Sequence, residues 1–194
     1  KYKLPARADN PIPTAYCPNT DMTEPLDPEC LSFYRHLIGV LCWMAELGRV
    51  DIATEVSMLS SYLAYPREGH LEAAIHLMGY LRLKHNTRLV FDPTYPDINL
   101  DSFPTFDWAE FYGDVTEAIP TDMPKPLGKE VDLRMMVDSD HAGDKLTRRS
   151  RTGFLIYCNM ALIIWLSKKQ PTIETSVFGA EFVAMKHGIE TLRG

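Results

Sequence analysis

The sequence is short of cysteine, of clustered histidine and of long apolar runs, and each shortage removes a class of protein. Its four cysteines, Cys17, Cys30, Cys42 and Cys158, contain no Cys-x-x-Cys pair, so neither a zinc-ribbon nor a thioredoxin-type motif is written here. They read as reduced thiols of an intracellular protein, with Cys42 set in an apolar helical run. The six histidines are scattered without a His-x-x-x-His pair, which argues against a zinc site. The longest apolar stretch, Met160-Ala-Leu-Ile-Ile-Trp-Leu166, is strand-sized and far below the ~18 residues that span a bilayer, so no membrane is expected as partner. No basic-then-apolar leader opens the chain, and Lys1-Tyr-Lys-Leu-Pro5 reads as a cut inside a longer protein. At 45% apolar and 24% charged residues, the composition excludes a collagenous, a mainly disordered or a disulfide-stapled chain.

What is present is a chain of 194 residues with a net charge of −6, long enough to bury a core. The charge is unevenly placed. Residues 1–90 carry nine basic and ten acidic side chains, residues 91–132 two and ten, and residues 133–194 nine and six. An acidic stretch thus separates a near-neutral part from a mildly basic one, and only the basic end has a weak field for phosphates.

Residues 1–26, with five prolines, read as an extended lead-in. Residues 27–91 read as a helical unit. Asp27-Pro28-Glu29 starts a helix, with Asp27 as N-cap and the proline in the first turn; Phe33, Leu37, Val40, Leu41, Met44 and Leu47 give its apolar spacing, and Gly48 its end. Asp51 caps a second helix bearing Ile52, Val56, Leu59 and Leu63, which Pro66 stops. A third, at about 68–84, carries Leu71, Ala74, Ile75, Met78 and Leu81. Leu89–Phe91 reads as a short strand. Residues 92–130 hold six prolines, many acids and the aromatics Tyr95, Phe103, Phe106, Trp108, Phe111 and Tyr112; they read as an acidic linker or insertion with one helical turn near 106–112.

From residue 131 the period changes to two. Val131, Leu133, Met135 and Val137 alternate with Asp132, Arg134, Met136 and Asp138, giving a strand that ends on an acid. Strands at 153–158 and 161–166 follow across short connections, as an antiparallel meander. Ser176 then opens a helix whose apolar stripe is Phe178, Phe182, Met185, Ile189 and Leu192. The fold class is therefore α/β: a helical unit followed by a β-β-β-α unit over 131–194.

Two acids stand out. Asp138 lies at the end of the first strand, and Glu181 borders the apolar stripe of the last helix. Two carboxylates brought together repel unless a divalent cation lies between them, and such a pair suits metal-assisted cleavage of phosphodiesters. The plainer readings are a turn-forming aspartate and a glutamate favoured by the helix dipole. Arg148, Arg149, Arg151, Lys168 and Lys169 at the strand ends can contact phosphates or form a solvated patch. His70 reads as a packing or capping residue, His141 as a turn residue, Trp43, Trp108 and Trp165 as packing residues, and Tyr34-Arg35 as helix surface.

A resemblance sharpens these alternatives. Val137-Asp-Ser-Asp-His-Ala-Gly-Asp144 resembles the Ser-Asp-Ala-Asp-Trp-Ala-Gly-Asp motif of copia-type LTR retrotransposon Pol polyproteins. Arg149-Ser-Arg-Thr-Gly-Phe154 is similar to their Arg-Ser-Thr-Ser-Gly-Tyr, and Ile164-Trp-Leu-Ser-Lys-Lys-Gln-Pro-Thr172 to Ile-Ser-Trp-Ser-Ser-Lys-Lys-Gln-Pro-Thr. Ser176-Val-Phe-Gly-Ala-Glu-Phe182 resembles Ser-Ser-Thr-Glu-Ala-Glu-Tyr. In the first half, Tyr34-Arg-His-Leu-Ile-Gly39, Arg49-Val-Asp-Ile-Ala53, and Pro66 and His70 with Ala73-Ala74 match further family patterns. The match covers residues 34–91 and 131–194 and leaves out 92–130.

The resemblance implies the end of a reverse transcriptase region, with 27–91 as its thumb- or connection-like helices, followed by the start of a ribonuclease H-like domain in 131–194. It implies RNA–DNA hybrid and the rest of the polyprotein as partners, Mg²⁺ as cofactor, and an intracellular setting, in a cytoplasmic virus-like particle or the nucleus. Asp138 matches the family's first catalytic, metal-binding Asp and Glu181 its catalytic, metal-binding Glu. Asp140 and Asp144 are expected to shape the turn. Gly179, His141 and Val50 depart from the family's Glu, Trp and Pro. The family's further RNase H acids and its Tyr-x-Asp-Asp polymerase motif are not in the sequence, so a non-catalytic remnant acting as a binding module is the competing expectation.

Overall fold

The computed structural model describes residues 3–193 apart from 103, 105, 116, 117, 119 and 126, so Phe103 lies outside the described residues. The elements are α1 (Pro28–Glu46), α2 (Ala53–Ser60), α3 (Glu68–Leu83), α4 (Ala109–Tyr112), β1 (Leu133–Asp140), β2 (Arg151–Cys158), β3 (Ala161–Lys169) and α5 (Val177–Arg193). The architecture is mixed α/β.

Helix α1 begins as its sequence dictates. Asp27 accepts a hydrogen bond from the Cys30 amide at 2.8 Å, and Pro28 occupies the first turn, where its missing N–H costs nothing. Gly48 ends it with φ of +120°, a conformation that disfavours any side chain. The buried stripe is Tyr34, Leu37, Ile38, Leu41 and Ala45. The expected Phe33, Val40 and Leu47 are exposed instead, because two apolar rows run side by side along α1 and only one meets α2 and α3. Tyr34 is therefore core rather than helix surface, and its hydroxyl donates to the Leu59 carbonyl at 2.8 Å, which also accepts from the Tyr62 amide at 3.1 Å.

Asp51 does not cap α2. It sits in a 3-10 turn at Val50–Ile52 and receives a bidentate bond from Arg49 at 2.9 and 2.7 Å, with the Tyr80 hydroxyl at 3.0 Å. The planar guanidinium outcompetes two backbone amides for the same carboxylate. His70 packs and caps as expected: its Nδ1 accepts from the Arg67 amide at 2.9 Å and its ring stacks on Tyr62. The lead-in is extended but not loose. It runs along α3, where Gly79 has no side chain to keep Pro5 away and Arg82 donates to the Pro5 carbonyl at 2.7 Å.

Leu89–Phe91 forms no strand. In residues 92–130 the expected helical turn is α4, around which Phe106, Trp108, Phe111 and Tyr112 cluster on one another while remaining exposed. The start of this segment is tied to the β2–β3 turn, through Asn159 to the Pro93 carbonyl at 2.9 Å and the Met160 amide to the Thr94 carbonyl at 3.1 Å.

The sheet is an antiparallel meander in the order β1-β2-β3. Both β1 and β3 run further than the sequence period suggests, so Asp138, Asp140, Lys168 and Lys169 lie within strands rather than beyond them. The sheet is held on both faces. On one, Trp165 Nε1 donates to the Ala45 carbonyl of α1 at 3.0 Å and Arg151 Nη1 to Ser57 Oγ of α2 at 2.5 Å. On the other lies α5, and here the sequence expectation is overturned. The residues that meet the sheet are Ala180, Ala184 and Gly188, while Phe178, Phe182, Met185, Ile189 and Leu192 are exposed, Phe178 by 78% and Phe182 by 52%. A row of small residues lets the helix come close to the strands, which excludes a row of large ones from the same contact.

Replacing Tyr34 by Phe removes the side-chain bond to the Leu59 carbonyl and leaves it the Tyr62 amide. The expected cost is about 0.5–1.5 kcal/mol, read as a lower urea midpoint with an unchanged slope; an unaltered midpoint would show that the hydroxyl contributes nothing there.

Candidate functional site

The pleat of the sheet decides which residues can meet. Met135 faces α5, since a β-carbon at Gly188 would come within 2.1 Å of its sulfur. Phe154, paired with Val137, faces α5 too, with its ring edge-on to His187 at 5.7 Å. Side chains alternate along a strand, so Met136, Asp138 and Asp140 belong to the opposite face, with their partners Leu155, Gly153 and Arg151 and with Trp165, Ser167 and Lys169 of β3. Arg151 and Trp165 reach α2 and α1 from that face, which confirms the assignment.

Asp138 is exposed there, opposite the bare backbone of Gly153. It borders a groove of about 290 Å³ whose other wall includes Val50, Ala53 and Thr54. Glu181 sits one residue after the buried Ala180 on α5, over the other face. The structure therefore places Asp138 and Glu181 on opposite faces of the sheet and does not bring them together. Among the described residues no group of three or more His, Cys, Asp or Glu side chains could hold a metal ion. As arranged, these two acids do not fit one shared Mg²⁺.

The other motif acids do what was expected of them. Asp140 accepts from the Arg151 amide across the mouth of the turn; burial and the neighbouring acids Asp138 and Asp144 raise its pKa, against the pull of Arg151. Asp144 accepts from the amides of Leu146 and Thr147, both at 3.0 Å, and from Lys169 Nζ at 2.6 Å. Burial opposes its charge, but these donors outweigh burial and hold the carboxyl well below its ordinary value of 3.8. The turn also contains Ala142 and Arg148 at positive φ, 53° and 57°, and the Ser150 hydroxyl closes it by accepting from the Ala142 amide at 3.0 Å.

The five basic residues divide into two sets. Arg151 is engaged with Ser57, and burial pushes its pKa down; Lys169 is engaged with Asp144. Arg148, Arg149 and Lys168 remain exposed. Arg148 and Arg149 lie in the turn entering β2, and Lys168 pairs with Thr152 near the start of that strand, so all three stand at one end of the sheet. The contributions of Ser57, Tyr62 and Asn19 to this end were not visible in the sequence. Asn19 Nδ2 approaches Asp144 at 3.4 Å across 125 residues, and no local pattern announces such a contact.

The fold is mixed α/β, with a three-stranded antiparallel sheet and helices. No family model matches the chain, and no solved structure matches it significantly. Among curated proteins, it is 26% identical over 84% of its length to the retrovirus-related Pol polyprotein from transposon RE1 of Arabidopsis thaliana. It is 26% identical over 78% of its length to the corresponding polyprotein from transposon TNT 1-94 of Nicotiana tabacum. It spans only 8% and 9% of those two polyproteins. It is also 25% identical over 81% of its length to the secreted RxLR effector protein 161 of Plasmopara viticola, covering 87% of that protein. The chain is thus related to copia-type retrotransposon Pol polyproteins, as its motifs imply, and corresponds to a short segment of them.

Because the folded-state pKa of Asp144 is depressed, its contribution to stability is present above the unfolded value near 3.8 and is lost as pH falls toward the lower folded value. Lys169→Met is expected to lower stability at pH 7 and to flatten the stability profile between about pH 5 and pH 2. Parallel profiles for the two proteins in acid titrations followed by circular dichroism would show that the pair is not coupled to folding.

Proposed function

We propose that the chain joins the end of a retrotransposon reverse transcriptase region to the start of its ribonuclease H-like unit, and that it serves there as a contact surface for an RNA–DNA hybrid. The observation that carries this reading is the order and placement of the motifs. Val137–Asp144 runs from β1 into the turn, Arg149–Phe154 opens β2, Ile164–Thr172 spans the end of β3, and Ser176–Phe182 starts α5. A β-β-β-α order with these motifs at those junctions supports the ribonuclease H-like reading of residues 131–194.

Arg148, Arg149 and Lys168 supply the contact. Their charges stand at one end of the sheet and are not spent on ion pairs among the described residues. Side chains of this kind bind phosphate oxygens without reading sequence. Arg151 and Lys169 act behind them by fixing the turn. In this reading Asp138 and Glu181 correspond to the family's catalytic acids and Mg²⁺ to its ion. Since the two acids do not converge, no hydrolytic step is derived for this chain, and binding rather than cleavage is its expected activity.

The test is fluorescence anisotropy with a labelled RNA–DNA hybrid over a salt series. Each lost phosphate contact flattens the log–log salt slope by roughly 0.9. Combined replacement of Arg148, Arg149 and Lys168 by Ala is expected to flatten it by about 2–3 and to weaken binding at low salt at least tenfold. No cleavage is expected when Mg²⁺ is added. Binding that is insensitive to the triple replacement would remove this end of the sheet as the contact, and cleavage abolished by Asp138→Asn would show that the acids do assemble.

A further inference from the structure

Besides Trp165 and Arg151, a further tie joins the two halves of the chain, and it ends on the turn that carries Arg148 and Arg149. Its middle is Pro18–Thr20, a single 3-10 turn in the lead-in, and both flanks of that turn are fastened to the start of α3. His70 Nδ1 accepts from the Arg67 amide, so the proton of the neutral ring lies on Nε2, which donates to the Pro18 carbonyl at 2.9 Å. Burial pushes the His70 pKa below its ordinary 6.5, which keeps the ring neutral at pH 7. On the other flank the Gly69 amide donates to Thr23 Oγ1 at 2.9 Å, and Asp21 packs against Gly69 where any side chain would collide with it. Between these anchors Asn19 reaches out of the helical unit: its Nδ2 lies 3.4 Å from Asp144 Oδ1 and 3.5 Å from the Gly143 carbonyl.

We propose that Asn19 and His70 are positioning residues for the hybrid contact: through Pro18 and Asn19, α3 sets the placement of the turn that presents Arg148 and Arg149. The proposal rests on the reading of that turn as a phosphate contact. Asp144 is the receiving group. Its carbonyl accepts from the Arg148 amide at 2.7 Å and its amide donates to the Arg149 carbonyl at 3.2 Å, so a shift of Asp144 moves both arginines. Lys169 holds one of its carboxylate oxygens to β3, and Asn19 ties the other to the helical unit. Cys17, Asn19, Tyr62, Asp144, Arg149 and Arg151 line a cavity of about 80 Å³ at this junction, so hydrogen bonds rather than close packing fix the turn there. Arg148 itself sits at a φ of +57°, a conformation that persists only where the surroundings hold it. Contacts as long as those of Asn19 are individually weak. Their loss leaves the same phosphates within reach but adds the cost of ordering the turn when the hybrid binds.

The experiment pairs amide hydrogen exchange with hybrid binding in the 194-residue chain, with circular dichroism to establish that each variant is folded. The variants are Asn19→Ala and His70→Phe, which keeps a ring on Tyr62 but has no donor for Pro18; should His70→Phe fail to fold, Asn19→Ala decides. Each is expected to speed exchange of the Leu146, Thr147 and Arg148 amides by about threefold or more while leaving Ile156 of β2 unchanged. In anisotropy each should weaken hybrid binding by about three- to tenfold with the salt slope unchanged, because the number of phosphates contacted is the same. With Arg148 and Arg149 both replaced by Ala, Asn19→Ala should change binding by less than about twofold, which a general loss of structure would not produce. Unaltered exchange of the turn amides in Asn19→Ala overturns the proposal, as does faster exchange with unchanged binding, or a binding loss that persists without the two arginines. Wild-type binding that ignores replacement of Arg148, Arg149 and Lys168 removes the reading on which the proposal rests and overturns it by that route, while the exchange rates still report whether Asn19 holds the turn.

Discussion

The close approach of α5 to the sheet through Ala180, Ala184 and Gly188 is the contact on which the rest of the second half depends. It fixes which face of β1 carries Met135 and Val137, and so which face is left for Asp138. It turns the large apolar side chains of α5 away from the strands. It also leaves the opposite face of the sheet to α1 and α2, which hold it through Trp165 and Arg151. A helix with large residues at the contact would stand further from the strands and could not produce the same arrangement.

Electrostatics then organise the end of the sheet. Asp140 and Asp144 are consumed in closing the 141–150 turn, and Arg151 and Lys169 in pinning it to α2 and to Asp144. The turn so closed carries Arg148 and Arg149 at the same end of the sheet as Lys168. Buried or partnered charges position, and exposed ones remain for a ligand; the same five basic residues serve both ends.

Much of this was legible in the sequence. The start of α1 at Asp27-Pro28, its stop at Gly48, the change of period at residue 131, the meander and the opening of α5 at Ser176 each follow from local chemistry that no distant contact overrides. Ser176 accepts from the Gly179 amide at 3.0 Å, as a helix-opening serine should. The packing of α5 was not legible. Its sequence carries a large apolar row and a small one, both at helical spacing, and period alone cannot say which is covered. The same ambiguity moved the inner face of α1 from Phe33 and Val40 to Tyr34 and Ile38. The candidate acids were legible as motif positions, but their separation was not, because it depends on the pleat of β1 relative to a helix nearly fifty residues away.

Which row of α5 faces the sheet governs the whole second half, and a pair of variants measured in dilute solution decides it. Ala184→Leu places a larger side chain at the closest approach, where overpacking costs about 1–3 kcal/mol or more. Phe182→Ser removes a ring that is already half in water. Urea unfolding is expected to show a marked loss of stability for Ala184→Leu and a change within about 0.5 kcal/mol for Phe182→Ser. The reverse order, with Phe182→Ser the damaging change, would show that the large row is the buried one.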